Sequence, residues 1–171
     1  AYQTDVGMSG DYNSIIGFDI NNPIHGFVKG YRAEGRFTPA TENITVCGAL
    51  IDIDGRVLIS KRPNNKVMGG LWEFPGGKLE HKEKPKECLI RELHEELGIN
   101  TWNSCLAPLS FSHCNYPKFD LLLLLFVCRK WEGLVQSKEG QEIKWVFPKE
   151  IQKYPMPEAD KPFIPVLRDL L

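Results

Sequence analysis

Three glutamates in the segment "RELHEELGI" have the residue type and spacing to bind a divalent cation. Glu92, Glu95 and Glu96 stand three and four residues apart, which on a helix places their carboxylates on one face. Like charges at this spacing destabilise a helix, so we expect a positive charge in front of them. A hard cation prefers carboxylate and carbonyl oxygens, with phosphate completing its shell. The "PGG" turn upstream allows close approach of the backbone, which makes the Gly76 carbonyl a further candidate ligand.

A helix from about residue 85 to residue 97 is expected to carry these acids. Pro85 suits the first helical turn, and Gly98 suits a left-handed C-cap. A leucine at every fourth position forms an apolar stripe for the core: Leu89, Leu93 and Leu97. Since the stripe and the acids occupy different faces, the acids remain available to a ligand. The alternative is that they are only the solvated face of an amphipathic helix.

The remaining pattern predicts strands combined with two amphipathic helices, which is an α+β fold. "ITVCGALI" and "VLIS" flank an Asp-Gly turn and predict a β-hairpin. "LWEF" predicts a short strand, and further strands are expected at about residues 105–114, 119–131 and 143–147. The apolar run "LLLLLFVC" predicts a fully buried strand. "PKEIQKY" predicts a helical turn, and "DKPFIPVLRDLL" predicts a closing helix.

A change in composition near Thr45 divides the chain into two parts. Residues 1–43 are rich in Gly, Asn and Pro, show no sustained periodicity, and hold at most short strands such as "SIIGF" and "HGFV". We expect an extension of unknown role there, either partly artificial or specific to its lineage. Residues 44–171 are expected to form one domain, since that length is sufficient for a core of its own.

The composition argues against several functional classes. The 171 residues include 21 basic and 22 acidic ones, a net charge of -1, whereas proteins that bind nucleic acid polymers or anionic membranes usually have a basic excess. The longest apolar run is too short to cross a bilayer, and no secretory signal is visible. Five scattered cysteines without a CxxC pair indicate reduced thiols, so we expect a cytoplasmic protein.

The segment from Gly77 to Ile99 resembles the Nudix box, G-x5-E-x7-R-E-U-x-E-E-x-G-U with U aliphatic, at every fixed position. Glu83 is the isolated acid of that pattern, and Arg91 precedes the acid cluster. Further stretches are similar in order and spacing to the MutT branch of that family, from about residue 44 onwards: "ISKRP", "LWEFPGGKLE", "KWEG", "SKEGQE" and "YPMPEADKP". The resemblance implies the Nudix fold, in which a mixed β-sheet lies between α-helices.

Proteins of the MutT branch hydrolyse nucleoside triphosphates to a monophosphate and pyrophosphate. The resemblance implies Mg²⁺, or alternatively Mn²⁺, bound by five residues: Gly76, Glu92, Glu95, Glu96 and Glu139. The four glutamates and Arg91 form the implied catalytic set, in which Arg91 pairs with Glu83 and positions the acids without touching substrate. Glu139, in "SKEGQ", is implied to bind metal or to activate the attacking water, and a solvated loop glutamate is the alternative.

The resemblance also implies four substrate-binding residues: Arg62, Phe74, Lys78 and Asp160. Lys78 is expected near a phosphate, Arg62 near the base or sugar, and Phe74 against the base. A solvated lysine and a core phenylalanine are the alternatives for Lys78 and Phe74. Asp160 occupies the place where MutT carries an Asn that pairs with 8-oxoguanine. An ionised Asp only accepts hydrogen bonds, so it suits the N7–H of 8-oxoguanine or the exocyclic amine of cytosine.

The resemblance leaves the substrate and the assembly open. The expected function is Mg²⁺-dependent hydrolysis of 8-oxo-dGTP in nucleotide-pool sanitation. Hydrolysis of CTP or a modified dCTP is one alternative, and an ADP-ribose-type Nudix hydrolase is another. A non-catalytic domain that reads 8-oxoguanine belongs to a different class; such domains typically lose the box acids, and this chain keeps all of them. We expect a monomer, with a dimer as the alternative.

Overall fold

The computed structural model describes residues 42–171, so the short strands expected in the extension lie outside the described residues. Seven strands are present in the described part: β1 (Glu42–Leu50), β2 (Val57–Lys61), β3 (Trp72–Glu73), β4 (Gly76–Lys78), β5 (Leu106–Tyr116), β6 (Phe119–Cys128) and β7 (Glu142–Val146). Two α-helices accompany them, α1 (Pro85–Leu97) and α2 (Phe163–Leu170), with short 3-10 helices at Asn103–Cys105 and Pro148–Lys153. The α+β class is confirmed.

The strands form two sheets, one in the order β4-β1-β6-β5 and one in the order β3-β2-β7. In the first sheet β4 pairs antiparallel with β1, and Cys47 stands opposite Gly76. β5 and β6 form a long antiparallel hairpin with an irregularity between Pro108 and Ser110. The pairing of β4 with β1 places the "PGG" turn at the edge of the first sheet, directly before the helix that carries the acids.

The prediction of a hairpin between "ITVCGALI" and "VLIS" is correct at the turn and wrong for the pairing of the strands. Gly55 has a left-handed φ of 77°, and Ile51 and Val57 form an isolated bridge beside it. Beyond the turn, β1 lies in the first sheet and β2 lies in the second. Residues 46–50 and 57–60 are buried throughout. Strands that are buried on both faces must pack against other elements on both sides, which a two-stranded hairpin alone does not provide.

The helix expected over residues 85–97 is confirmed. Gly98 ends α1 with a φ of 70°, and its N–H donates to the carbonyl of His94. The leucine stripe is fully buried and packs with apolar residues of β1, β2 and β6, among them Leu50, Leu58 and Phe126. Burying one such leucine contributes about 1.5–3 kcal/mol, so the stripe fixes which face of α1 points away from the core.

A second apolar cluster lies between the sheets and the C-terminal segment. It contains Trp72 and Phe74 from the region of β3, together with Phe163 and Leu167 of α2. The closing helix expected at the C-terminus is therefore present, and it covers the segment that leads into the "PGG" turn. No helix within residues 42–171 is long and apolar enough to cross a membrane.

Candidate active site

A pocket of about 530 Å³ is lined by residues of both sheets, of α1, and of the loops that follow β2 and β6. It brings together eight of the site residues expected from the sequence: Arg62, Phe74, Gly76, Lys78, Glu92, Glu96, Glu139 and Asp160. Arg91 and Glu95 do not line it. We call Gly76, Glu92 and Glu96 the helix side of the pocket. Residues Arg62, Glu73 and Asp160 form its aspartate side.

Arg91 ties the acids of α1 to the loop before the helix. Its Nε and Nη2 donate to the two carboxylate oxygens of Glu83 at 2.9 and 3.0 Å, a bidentate pair. Its Nη1 donates to Glu92 at 2.6 Å and to Glu95 at 3.3 Å. The hydrogen bonds from Arg91 lower the pKa of Glu83 to about 2. Arg91 therefore holds Glu92 from outside the pocket.

Glu96 lies against the "PGG" turn. The N–H of Gly76 donates to Glu96 Oε2 at 3.1 Å. Burial raises the pKa of Glu96 to about 8; the hydrogen bond from Gly76 opposes this shift, and the negative charges of Glu92, Glu73 and Glu139 reinforce it. The helix side thus holds carboxylates that repel one another, which is the condition that a bound cation relieves.

Two neighbouring glycines allow this close arrangement for different reasons. Gly76 has a φ of 152°, and a Cβ there would lie 2.1 Å from the carbonyl oxygen of Val46. A Cβ on Gly77 would instead lie 2.1 Å from Cδ of Glu92. Glycine at the first position therefore permits β4 to pair with β1, and glycine at the second permits the Glu92 carboxylate to reach the turn.

The donor set of the helix side suits a hard divalent cation, although its carboxylates do not converge on one point. Glu92 is bonded to Arg91 and Glu96 to Gly76, while the side chain of Glu95 is 53% exposed. In the part of the chain that the structure describes, no three His, Cys, Asp or Glu side chains are placed to share a metal ion. Carboxylate and backbone carbonyl oxygens are the ligands that Mg²⁺ prefers, so the residues fit this cation chemically, with side-chain rotation required on binding.

Glu139 lies on another wall of the pocket, in the loop between β6 and β7. Its carboxylate is 3.5 Å from Nζ of Lys66, so it pairs with the loop after β2 and not with a group on α1. Its own loop is nevertheless joined to α1, because Nε2 of Gln141 donates to the carbonyl of Glu96 at 3.0 Å. The structure thus brings Glu139 to the pocket but leaves it apart from the acids of the helix.

Asp160 dominates the aspartate side and is only 5% exposed. The N–H of Phe74 donates to its Oδ1 at 3.4 Å. Burial raises the pKa of Asp160 to about 7; the bond from Phe74 and the charge of Arg62 oppose the shift, and Glu73 reinforces it. Near neutral pH the ionised form of Asp160 expected from the sequence is therefore accompanied by the neutral form. The neutral form that coexists there offers one donor and one acceptor, as an Asn side chain does.

The other expected substrate residues lie around the pocket in different settings. Nη1 of Arg62 donates to Glu73 at 2.7 Å, and its buried Nε has no hydrogen-bond partner within residues 42–171. Phe74 is buried, with its ring centroid 6.2 Å from that of Phe163, so it is a core residue that also lines the pocket. Lys78 is exposed and also lines the pocket.

Reasoning from the sequence missed several pocket residues, among them Glu73, Tyr116 and Phe119. The rings of Tyr116 and Phe119 stack with centroids 4.9 Å apart and flank the two-residue connection between β5 and β6. Aromatic faces bind nucleobases by stacking. The "YPKF" stretch has one aromatic residue on each side of a turn, and this is the sequence signal that predicts such a pair.

The comparison with known families decides the classification. Residues 46–165 match the family model described as the NUDIX domain, a span of more than half the chain. This chain belongs to the Nudix family. The Nudix fold expected from the box is confirmed, and the chain is a hydrolase acting on phosphoric anhydrides.

Similarity to individual proteins shows to which branch of the Nudix family the chain belongs. A protein of Escherichia coli K12 named CTP pyrophosphohydrolase is 35% identical over 122 residues, which is 71% of this chain and 88% of that protein. Another from the same organism, named 8-oxo-dGTP diphosphatase, is 31% identical over 124 residues, 72% of this chain and 94% of that protein. A solved structure described as MutT from Aliivibrio salmonicida and Vibrio cholerae has a TM-score of 0.65 at 30% identity, covering 76% of this chain and 99% of that one. The expected MutT-type Nudix hydrolase is confirmed.

The first part of the chain is similar to a second family. Residues 1–62 match the family model described as a YmdB-like protein. This match covers about a third of the chain and overlaps the Nudix match at residues 46–62. The extension expected over residues 1–43 and its role stay predictions.

Proposed function

We propose that this Nudix hydrolase is an Mg²⁺-dependent nucleoside triphosphate pyrophosphohydrolase that acts on 8-oxo-dGTP. The observation that carries the proposal is one pocket lined both by acids of α1 and by the buried Asp160. The helix side offers oxygen ligands for a cation beside a polyphosphate, and the aspartate side offers hydrogen bonds to a base. Similar proteins named 8-oxo-dGTP diphosphatase support the same substrate.

The metal ligands in this proposal are the Glu92 and Glu96 carboxylates and the Gly76 carbonyl, with Glu95 and Glu139 as the further ligands implied by the family resemblance. A bound Mg²⁺ would neutralise charge on the polyphosphate and lower the pKa of a bound water. Mn²⁺ has the same ligand preferences and is the alternative.

Residues around the helix side orient the reactants. Arg91 keeps Glu92 in position through the bond of 2.6 Å, and Lys78 donates to a phosphate. Either Glu92 or Glu139 accepts a proton from the attacking water. Attack within the triphosphate releases pyrophosphate and leaves the nucleoside monophosphate, in one step.

On the aspartate side, neutral Asp160 donates to O6 of 8-oxoguanine and accepts from its N7–H, a pair that unmodified guanine cannot complete because it lacks that hydrogen. Arg62 brings a buried Nε with no partner in the described part of the chain, and the stacked rings of Tyr116 and Phe119 offer an aromatic surface to the base.

Hydrolysis of CTP, or of a modified dCTP, is the second candidate, and one observation favours it. An ionised Asp160 accepts from the exocyclic amine of cytosine, and a pKa of about 7 means that this form is also populated near neutral pH. The similar protein named CTP pyrophosphohydrolase supports this alternative.

The same proposal includes the setting of the enzyme. We propose a cytoplasmic monomer that binds neither nucleic acid polymers nor membranes, with residues 44–171 as the hydrolase domain. The net charge of -1 and the free cysteines of the described part, Cys47, Cys88, Cys105, Cys114 and Cys128, support it.

A nucleotide panel tests the proposed substrate. The protein is incubated with Mg²⁺ and 8-oxo-dGTP, dGTP, CTP, 5-methyl-dCTP or ADP-ribose, and products are followed by phosphorus NMR. We expect 8-oxo-dGTP to give the highest kcat/KM, with pyrophosphate as the first product. A preference for CTP would select the second candidate, and early nucleoside diphosphate with free phosphate would contradict the one-step cleavage.

A further inference from the structure

Gln141 is a buried polar residue that the family resemblance assigns no role. It lies directly before β7 and is only 9% exposed. It lines the pocket between the loop of Glu139 and the end of α1. We propose that Gln141 is a positioning residue, which sets the loop acid Glu139 relative to the acids of the helix. This inference rests on the proposed function, in which both groups act on the same substrate.

The carboxamide of Gln141 joins two backbone segments through three hydrogen bonds. Its Oε1 accepts from the hydroxyl of Ser137 at 2.8 Å and from the N–H of Glu139 at 3.0 Å. Its Nε2 donates to the carbonyl of Glu96 at 3.0 Å. One planar group therefore connects the main chain of Glu139 to the main chain of Glu96, two residues implied to bind the same metal.

Helix capping alone does not explain this arrangement. The last carbonyls of an α-helix need partners, but backbone groups already supply them here. The N–H of Lys138 donates to the Glu96 carbonyl at 2.9 Å, and the N–H of Gln136 donates to the Leu97 carbonyl at 3.0 Å. Gln141 is thus an additional donor to Glu96, and its distinctive contact is the bond that it accepts from the N–H of Glu139.

The chemistry of the group also explains why glutamine stands here and not glutamate. A carboxamide accepts on one side and donates on the other, whereas an ionised carboxylate only accepts. Glutamate at this position would turn an acceptor towards the Glu96 carbonyl and add a charge beside the acids of the pocket. Methionine, of similar length, would lose all three bonds.

The test combines Gln141→Met and Glu139→Gln singly and together, with Thr101→Val as the matched control. Thr101 is a buried polar residue outside the pocket whose hydroxyl donates to the carbonyl of Lys130 at 2.8 Å. The readouts are kcat and KM for the best nucleotide of the panel, hydrogen exchange of residues 137–141, and Tm.

We expect Gln141→Met to lower kcat by about 10- to 100-fold, as removal of groups that orient metal ligands does, and to speed hydrogen exchange in the Glu139 loop. Combined with Glu139→Gln, it should lower kcat no further, because both changes act through the same residue. Thr101→Val should lower Tm and leave kcat unchanged.

Equal loss of kcat in both backgrounds, or an unchanged kcat in Gln141→Met, would overturn the positioning role. If Gln141→Met does not fold, Gln141→Asn replaces it in the same cycle, since it keeps an uncharged carboxamide that is one methylene too short to reach both the Glu139 N–H and the Glu96 carbonyl. Full activity of Glu139→Gln alone would remove both the role proposed for Glu139 and that of Gln141. Pyrophosphate release by the unmodified protein tests the proposed function independently of these variants.

Discussion

The helix side and the aspartate side of the pocket both contain carboxylates, and they surround Glu92 and Asp160 with different partners. On the helix side Glu92 receives a charged hydrogen bond from Arg91 at 2.6 Å, and the acids are arranged beside a carbonyl that suits a cation. On the aspartate side Asp160 receives one long bond of 3.4 Å from a backbone N–H. Its nearest cation, Arg62, is already paired with Glu73.

The difference shows how one functional group takes two roles within a single pocket. Opposite charge and hydrogen bonds favour the ionised form of a carboxylate, whereas burial without them favours the neutral form. On the helix side burial also raises the pKa of Glu96, to about 8, so this carboxyl becomes an anion when a cation binds beside it. The aspartate side is built for a carboxyl group that acts as a hydrogen-bond donor as well as an acceptor.

The largest effect is expected from removing an anion on the helix side. Glu92→Gln should lower kcat by about 10²–10⁴-fold, because it removes a carboxylate that holds the metal or accepts a proton. Excess EDTA should abolish the activity of the unmodified enzyme, and Mg²⁺ should restore it. Glu150→Gln, on an exposed carboxylate paired with Lys153 away from the pocket, is the control. Full activity of Glu92→Gln would contradict the anionic role of the helix side.

Adding a methyl group at either glycine of the "PGG" turn should have two different effects: a loss of kcat at one position and a loss of stability at the other. Gly77→Ala should lower kcat by about 10²-fold, because the new Cβ occupies the position of the Glu92 carboxylate, and a displaced catalytic group is costly at this level. The Tm should change little, since that carboxylate is the end of a flexible side chain. Gly76→Ala should instead destabilise the protein by at least about 2 kcal/mol, because its Cβ meets backbone. Equal losses of Tm in both variants would contradict this distinction.

A smaller effect, on base choice, is expected from pH on the aspartate side. Between about pH 6 and about pH 8, kcat/KM should fall by about tenfold for 8-oxo-dGTP and rise by about tenfold for CTP, because Asp160 passes from its neutral to its ionised form. Two other titratable groups near Asp160 stay protonated over this interval, because burial raises the pKa of Cys47 and raises that of Tyr116 to about 12.

The control for this pH dependence is Asp160→Asn, which keeps the donor and the acceptor at every pH. This variant should retain activity on 8-oxo-dGTP, show weaker activity on CTP, and give a ratio of the two that is independent of pH. Using a ratio of two substrates cancels the titration of groups that act on both. If this ratio still depends on pH in Asp160→Asn, a group other than Asp160 causes the change in base preference.

The smallest expected effect is on stability. Burial raises the pKa of Asp160 from 3.8 to about 7 in the folded protein, so the folded state binds more protons than the unfolded state between these values. Stability is therefore lost as the pH rises through this interval. Asp160→Asn should raise Tm relative to the unmodified protein by about 5 °C at alkaline pH, with a smaller difference near pH 5. A difference in Tm that is the same at both pH values would contradict an Asp160 that is neutral in the fold.

Local features of the chain were predictable from sequence, and long-range ones were not. The helix, its leucine stripe and its Gly98 cap follow from spacing within about twenty residues, where each signal agrees with the others. The partners of β1 and β2 do not, because strand pairing depends on contacts far apart in the chain, and a turn indicates only the strands next to it.

The site shows the same division. Glu92 and Glu96 share one helix, so their side of the pocket could be predicted from residue types and spacing alone. The neutral form of Asp160 depends on its burial in the folded protein, which residue type and local spacing do not indicate. Likewise, Tyr116 and Phe119 reach the pocket only because a long hairpin carries them there.

The ion pair between Lys66 and Glu139 has a consequence for the order of events at the mouth of the pocket. Both side chains are about half exposed, at 55% and 47%, and such pairs contribute only about 0–1 kcal/mol in water. An arriving polyphosphate carries more negative charge than Glu139 and competes with it for the same lysine. Glu139 can therefore exchange its partner at little cost when substrate enters, and at high ionic strength it is already released.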